Sequence, residues 1–269
     1  MVGMTTFQRA RSEEQREIRR QAILDTAAAM LDEMSVSALS LNELSRRVGL
    51  AKSNVLRYFE SREAVLLELL DRDWRQWTAS LSEQLAASIT ADAPPIQRGQ
   101  EFATAMTRSL AQHRVLCDLL SAQAGVLEHN ISAEVAARYK RAALDNVAAL
   151  AALTRRYLPE LGSRADQLCA QAVMVSGAVW THARPSAAML TAYAADPSLA
   201  ALRMDFTITL QEMLTTLIAG TLAREQHRPH LRLPRGHRWE RRDGFTPPSQ
   251  AASSPSLAPT RSEPTSPGS

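Results

Sequence analysis

Three observations predict an all-α fold for this chain of 269 residues. Valine and isoleucine rarely alternate with polar residues, so strand signals are nearly absent, and alanine and leucine dominate. Serine caps stand just ahead of apolar, helically spaced runs, as at Ser12, Ser40 and Ser61. Proline-containing or polar breaks separate those runs.

The elements follow in order. Residues 1–11 read as a flexible basic arm carrying Arg9 and Arg11. Ser12 and Gln15 make a capping box, and a helix then runs to about Met34 with Ile23, Ala27, Met30, Leu31 and Met34 on its buried stripe. Ser40 and Glu43 make a second capping box, in which serine accepts from the Glu43 amide and glutamate reaches back to the serine amide. Leu41, Leu44 and Val48 share one face of that helix, and Gly49 ends it where a left-handed residue is needed. The next helix, from about Lys52 to Phe59, turns Val55, Tyr58 and Phe59 inward and Lys52, Ser53, Asn54 and Arg57 outward. Ser61 caps a fourth helix through Leu66, Leu70, Trp74 and Trp77, perceptible to about Ala87. Helices are then expected near 96–112, 115–127, 132–157, 163–183 and 199–223. Stretches 142–153 and 170–179 are apolar around most of their circumference, the mark of a core helix or of one at a subunit interface. Residues 224–269 are rich in Pro, Ser, Arg and Gly and read as a disordered basic tail.

A short polar-tipped helix held by its predecessor across a glycine turn is the helix-turn-helix arrangement that reads DNA, here over about 40–59. Bulk charge does not argue for it. The net charge is +3, but residues 1–77 hold 12 basic and 12 acidic side chains, 78–223 hold 11 and 12, and 224–269 hold 8 and 4. The basic excess lies in the tail, so binding must rest on the local motif.

No run of eighteen apolar residues suggests a membrane span, and no secretory signal opens the chain. Cys117 and Cys169 sit in helical patterns and are expected to be reduced and buried in a cytoplasmic protein. The ten glycines are scattered, which leaves no dinucleotide fingerprint, phosphate-binding loop or nucleophile elbow, and H-E-x-x-H and C-x-x-C are absent. An enzyme is therefore not expected, and no catalytic residue, metal site or cofactor is assigned. His227 and His230 have a spacing that binds metal, without a carboxylate-rich helix beside them.

The N-terminal third resembles the TetR family of bacterial transcriptional regulators. The resemblance rests on S-L-N-E-L-S-R-R-V-G-L from Ser40, K-S-N-V-L-R-Y-F from Lys52 and E-S-R-E-A-V-L-L from Glu60, and covers about residues 12–77. It implies a DNA-binding domain over 12–77 followed by a C-terminal helical regulatory and dimerisation domain over 78–223. It also implies a homodimer on a palindromic double-stranded DNA operator, released by a small apolar or amphipathic effector. Repression is the default, because a dimer on a promoter blocks polymerase without a further contact surface. The motif maps Lys52 and Asn54 to base contacts, and Ser53 and Tyr58 to phosphates or base edges. Ser40 and Asn42 fall at backbone contacts, and Arg62 at a phosphate on the fourth helix's N-terminus. Arg57 is either a surface residue or a phosphate contact.

Two positions depart from the pattern. Leu56 stands where a tyrosine is common, and Ala51 is a poor cap where serine is frequent. In the second domain Phe102, Met106, His113, Tyr139, Asn146, Met174, Trp180 and His182 are candidate ligand-pocket residues, although each taken singly reads better as ordinary core or surface. The alternatives from other classes are a helical ligand-binding or interaction protein without sequence-specific DNA binding, and an enzyme whose site the spacing hides.

Overall fold

The computed structural model describes residues 3–226, with side chains over 13–225. The disordered tail expected from 224 is helical as far as Gln226, and the expectations for the rest of it, including His227 and His230, and for the Arg9 and Arg11 side chains lie outside the described residues. Every regular element among the described residues is helical.

Helix α1 spans Gly3–Glu33. It passes straight through Ser12, so the arm expected over 1–11 is helical from Gly3 and Ser12 starts nothing. The reason is local: no proline or glycine lies between Met4 and Glu33 to stop helix propagation. Its buried stripe is Ile23, Leu24, Ala27, Met30 and Leu31, while Met34 is half-buried. Helix α2 (Leu41–Val48) and the single turn α3 (Lys52–Val55) follow, then α4 (Arg62–Ser88). Leu44, Val55 and Phe59 are buried in the same apolar cluster as Val65, Leu66, Leu69 and Leu70 of α4.

Helix α4 organises the rest. It runs unbroken across position 77, where two domains were expected to meet, and packs on α1 as well as on α5 (Pro95–Gln112), α6 (Arg114–Ala122) and α7 (Ala133–Tyr157). The residues from 3 to 226 fall in one compact unit. A motion of the later helices against α4 is thereby a motion of the rod on which α1–α3 rest.

A π-helical turn, Gln123–Leu127, continues α6, and a 3-10 turn, Pro159–Arg164, follows α7. Helix α8 is Ala165–His182, and it packs on α6 and α7. Gly177 makes the first of these contacts possible: a Cβ there would lie 3.1 Å from the Leu120 carbonyl oxygen. Two expectations change here. The stretch 142–153 is buried only at Asn146, Leu150 and Ala151, and Leu144 is 70% exposed. Its many alanines make it look apolar all round, although α7 packs only one side. The single helix expected over 199–223 starts at Phe206, after α9 (Ala187–Ala195) and α10 (Pro197–Ala200). Ser186 and Asp196 cap these short helices, accepting from the Met189 amide at 3.3 Å and the Ser198 amide at 2.8 Å.

Helix α11, Phe206–Gln226, carries Leu210, Leu214, Ile218 and Leu222 at every fourth position, all buried, and packs on α5 and α8. By length and composition alone, with a mean hydropathy of 1.2 over Phe206–Glu225, it is apolar enough to cross a membrane, which the absence of an eighteen-residue apolar run did not anticipate. Its stripe instead completes the helical core. Both cysteines are buried and free as expected, Cys117 fully and Cys169 beside the Thr154 hydroxyl at 3.3 Å.

Candidate nucleic-acid interface

The reading tip is built by three local devices. Ser40 caps α2 by accepting from the Glu43 amide at 3.2 Å. The reciprocal half of the capping box is absent. Glu43 turns outward to Arg46 and Arg47, with a closest approach of 2.5 Å to Arg46. Those two guanidiniums hold the Glu43 carboxyl down at about 2. Gly49, at φ 73°, donates to the Arg46 carbonyl, and the Leu50 amide closes on Ser45 at 3.0 Å. This turn separates α2 from α3 by residues 49–51. Ala51 offers no side-chain cap, so the first amides of α3 stay open to an acceptor from outside.

The tip is shorter than expected. Regular α-helix ends at Val55, because the Arg57 and Tyr58 amides bond three residues back, to Asn54 at 3.2 Å and Val55 at 2.9 Å. Val55 and Phe59 are buried on either side of this tightened turn and fix it to the core. Lys52, Ser53, Asn54 and Arg57 are exposed, Tyr58 is half-buried, and Leu56 is 42% exposed. At the start of α2, Ser40 is exposed and Asn42 stands two residues beyond it, exposed with Ser40 on the same side of the tip.

Arg62 is placed differently from its expected role. Its guanidinium donates to the Leu39 carbonyl at 3.0 Å, to Ser37 at 3.4 Å and to Glu63 at 3.0 Å. It braces the α1–α2 connection from inside, a use that leaves little of it for a phosphate. Its neighbours Glu60 and Glu63 face the later helices instead. Glu60 accepts from the Ser132 amide at 2.5 Å, and the buried Glu63 accepts from Asn130 at 3.2 Å. The loop before α7 therefore sits on the turn that leaves the reading tip.

Sequence reasoning missed Arg20. It forms a two-armed ion pair with Glu68 on α4, donates to the Tyr58 carbonyl at 3.1 Å, and lies 4.6 Å over the Phe59 ring. One side chain of α1 thus holds the end of the reading segment against α4. Its i, i+3 and i+4 neighbours in sequence gave no sign of this, because every partner is distant along the chain.

The candidate pocket residues do not converge on one cavity. Phe102 and Met106 are core, at 3% and 2% exposure. His113 joins α5 to α6 with Nδ1 at 2.8 Å from the Ser109 carbonyl. Tyr139 lines a cavity of about 380 Å³ between α1, α4 and α7, together with Glu17, Glu68, Asp71 and Arg75. Asn146 donates to Asp71 at 2.8 Å. Met174 is 66% exposed and lines a separate open cavity of about 330 Å³ between α6 and α8, together with Leu120, Val173, Gly177 and Thr181. Trp180 donates to Asp118 at 2.7 Å and meets Phe206 edge-on at 4.8 Å, while His182 stands in the last turn of α8.

Residues 23–69 match the family model described as bacterial regulatory proteins, tetR family, and residues 71–225 match that of the tetracyclin repressor-like C-terminal domain. The HTH-type transcriptional regulator EthR of Mycobacterium tuberculosis is 38% identical over 71 residues, which is 26% of this chain and 32% of that protein. The match therefore spans about a third of the length of this curated relative. Among solved structures, the fatty acid degradation regulator FadR of Bacillus halodurans aligns over 75% of this chain and 95% of its own at 13% identity, with a TM-score of 0.46. The regulator PfmR of Thermus thermophilus aligns over 73% and 97% at 17% identity, with a TM-score of 0.40.

Proposed function

We propose, from the premise that this chain belongs to the TetR family of bacterial regulatory proteins, that it is a ligand-responsive repressor. It binds a palindromic operator as a homodimer and leaves it when a small apolar or amphipathic molecule binds. The family carries transcription regulation and DNA binding; the operator symmetry, the dimer and the effector are the proposal. The observation that carries the DNA reading is the exposed Lys52–Ser53–Asn54 tip on a turn pinned by Gly49, Val55 and Phe59. A lysine there donates to guanine O6 and N7, and an asparagine amide pairs with adenine N6 and N7. Ser53, Tyr58, Ser40 and Asn42 surround that tip and suit phosphates and base edges. Arg57 belongs with the phosphate contacts, and Arg62 is left out.

Two features support the remaining parts. Helices α9 and α10 bury none of their residues, and Met189, Leu190, Leu199 and Leu202 stand exposed on or beside them. Met174 on α8 with Ile208 and Met213 on α11 add to the exposed apolar surface. Exposed apolar area of this kind favours a second copy of the chain. For release, the Glu60–Ser132 and Glu63–Asn130 bonds tie the α7 end of the regulatory helices to the turn after the reading tip. A ligand that moves the π-helical turn or α7 pulls on that turn, and its differential affinity for the two arrangements sets how far the balance shifts.

A mobility-shift titration on the DNA flanking the gene tests the reading. Replacing Lys52 and Asn54 with alanine removes two base contacts of about 1–3 kcal/mol each, so operator binding falls by at least about tenfold. A double variant that binds this DNA as tightly as the parent protein sinks the proposal. Sedimentation at micromolar concentration tests the dimer, and a monomer there would remove that part.

A further inference from the structure

The cations of the N-terminal helices divide into two sets. Arg20, Arg46, Arg47, Arg62, Arg72 and Arg75 each carry an acidic partner. Arg16, Arg19, Lys52 and Arg57 form no ion pair with any described side chain. Lys52 belongs to the reading tip. The other three meet in one place: a groove of about 490 Å³ lined by Gln15, Arg16, Arg19, Arg57 and Tyr58.

Among the described residues, no carboxylate lines this groove. The acid nearest in sequence, Glu17, turns to the opposite side of α1, where it accepts from Gln21 at 2.6 Å and faces the cavity toward α7. The rotation of α1 that produces this division is fixed by Arg20. With Arg20 locked to Glu68 and to the Tyr58 carbonyl, Arg16 and Arg19 share a face by their i, i+3 spacing and stand beside Arg57. The three guanidiniums of this groove repel one another until an anion enters, and the Gln15 amide and Tyr58 phenol add neutral donors. Their donors suit the non-bridging oxygens of a phosphodiester, which guanidinium binds with two parallel N–H bonds.

We propose that this groove is a phosphate clamp, in which Arg16 and Arg19 of α1 grip the DNA backbone together with Arg57 and Tyr58. The clamp flanks the bases reached by Lys52 and Asn54. It rests on the reading of this protein as a DNA-binding regulator, and it assigns α1 a direct share in that binding. Because the contacts go to phosphate, they add affinity to any duplex and no discrimination between sequences.

The test compares the full-length protein with an Arg16→Gln/Arg19→Gln variant in salt titrations of binding, by fluorescence anisotropy. One labelled duplex carries the flanking DNA of the gene and another an arbitrary sequence. Removing one phosphate contact makes the slope of log K against log salt shallower by about 0.9, so removing two in each subunit makes it shallower by about 1.8 per subunit. The expected result is this shallower slope and weaker binding on both duplexes, with their ratio of affinities unchanged. An Arg108→Gln/Arg141→Gln variant, which removes the same charge from exposed sites on α5 and α7, keeps the parent slope. Helical circular dichroism confirms that each variant is folded.

Three outcomes overturn the clamp. One is an unchanged slope in the α1 variant. Another is an equal drop in the Arg108/Arg141 control, which makes the effect one of net charge. The third arises in calorimetry with inorganic phosphate: if the α1 variant loses phosphate binding while its DNA slope stays intact, the groove takes free phosphate rather than the DNA backbone. Failure of the underlying reading looks different, since the parent protein itself then prefers neither duplex.

Discussion

Replacing Arg20 with alanine tests whether α1 holds the reading segment in place. The side chain makes three separate contributions. Its two-armed pair with Glu68 is partly buried, with both side chains 24% exposed. After solvent screening such a pair is worth about 1 kcal/mol. The charged donor to the Tyr58 carbonyl, at 3.1 Å, adds about 1.5 kcal/mol. The guanidinium over the Phe59 ring, 4.6 Å from its centre, adds roughly 0.5 kcal/mol at this exposure. The sum is about 3 kcal/mol, a large part of the stability of an ordinary domain. Urea unfolding followed by circular dichroism measures it, with the midpoint falling and the slope unchanged. Arg20→Lys keeps the charge and loses the fork, so it recovers less than half of the loss. A second measurement separates the local role from the global one. At a temperature where both proteins are fully folded, Arg20→Ala still weakens operator binding, because the Tyr58–Phe59 end of the tip is released. A destabilisation under about 0.5 kcal/mol, or full DNA affinity in the folded variant, refutes the argument.

Three further outcomes follow from single positions. Gly49→Ala meets no neighbour within 4 Å, so its cost is the left-handed backbone alone, about 1 kcal/mol in thermal unfolding. Gly99→Ala places a Cβ 2.7 Å from Ile218 Cγ2. The clash between α5 and α11 costs about 1–3 kcal/mol, and a double-mutant cycle with Ile218→Ala recovers part of it. Burial pushes the Cys117 thiol up to about 12 and the Cys169 thiol up to about 11. Neither is alkylated by iodoacetamide in the folded protein at about pH 8, whereas both react in urea, which mass spectrometry reads directly.

Local signals in the sequence carried much of this fold. The Ser40 and Ser61 caps, the Gly49 turn and the apolar spacing of α4 and α5 involve neighbours within one or two turns, so they stand in the sequence as they stand in space. The end of regular α3 at Val55 was not readable, since an inward Val55 and Phe59 fit either four-residue or three-residue backbone bonds, and only the fold shows the Arg57 and Tyr58 amides taking the latter. Arg62 shows a sharper limit. A basic residue at a helix N-terminus looks the same whether it meets a phosphate or the carbonyls of the preceding connection. Met174 does line a cavity, but a different one from Tyr139 or Asn146, because which helix faces meet is decided by packing partners far apart in the sequence. Arg16, Arg19 and Arg20 fall on one stretch of α1, and nothing in that stretch tells that the last is held by partners while the first two form no ion pair.

The charge count gains its meaning from this pairing. Residues 1–77 hold equal numbers of basic and acidic side chains, which by itself predicts no attraction to DNA. Many of the acids, however, are occupied. Glu43 neutralises Arg46 and Arg47, Glu68 neutralises Arg20, Asp25 faces Arg72, and Glu60 and Glu63 are turned toward the Asn130–Ser132 loop. Lys52, Arg57, Arg16 and Arg19 keep their charge on the exposed side. At physiological ionic strength exposed charges act over about 8 Å, so a phosphate at the groove or the tip meets those cations and hardly senses the acids behind them. A domain with no net charge can then present a positive face. Glu60 and Glu63 give that face a second connection, because the acids that bind the regulatory loop belong to the turn that ends the DNA-reading segment. Strengthening their contacts to residues 130–132 and seating α3 on DNA are energetically linked for that reason. A change in either one reaches the other through no more than a single turn of chain.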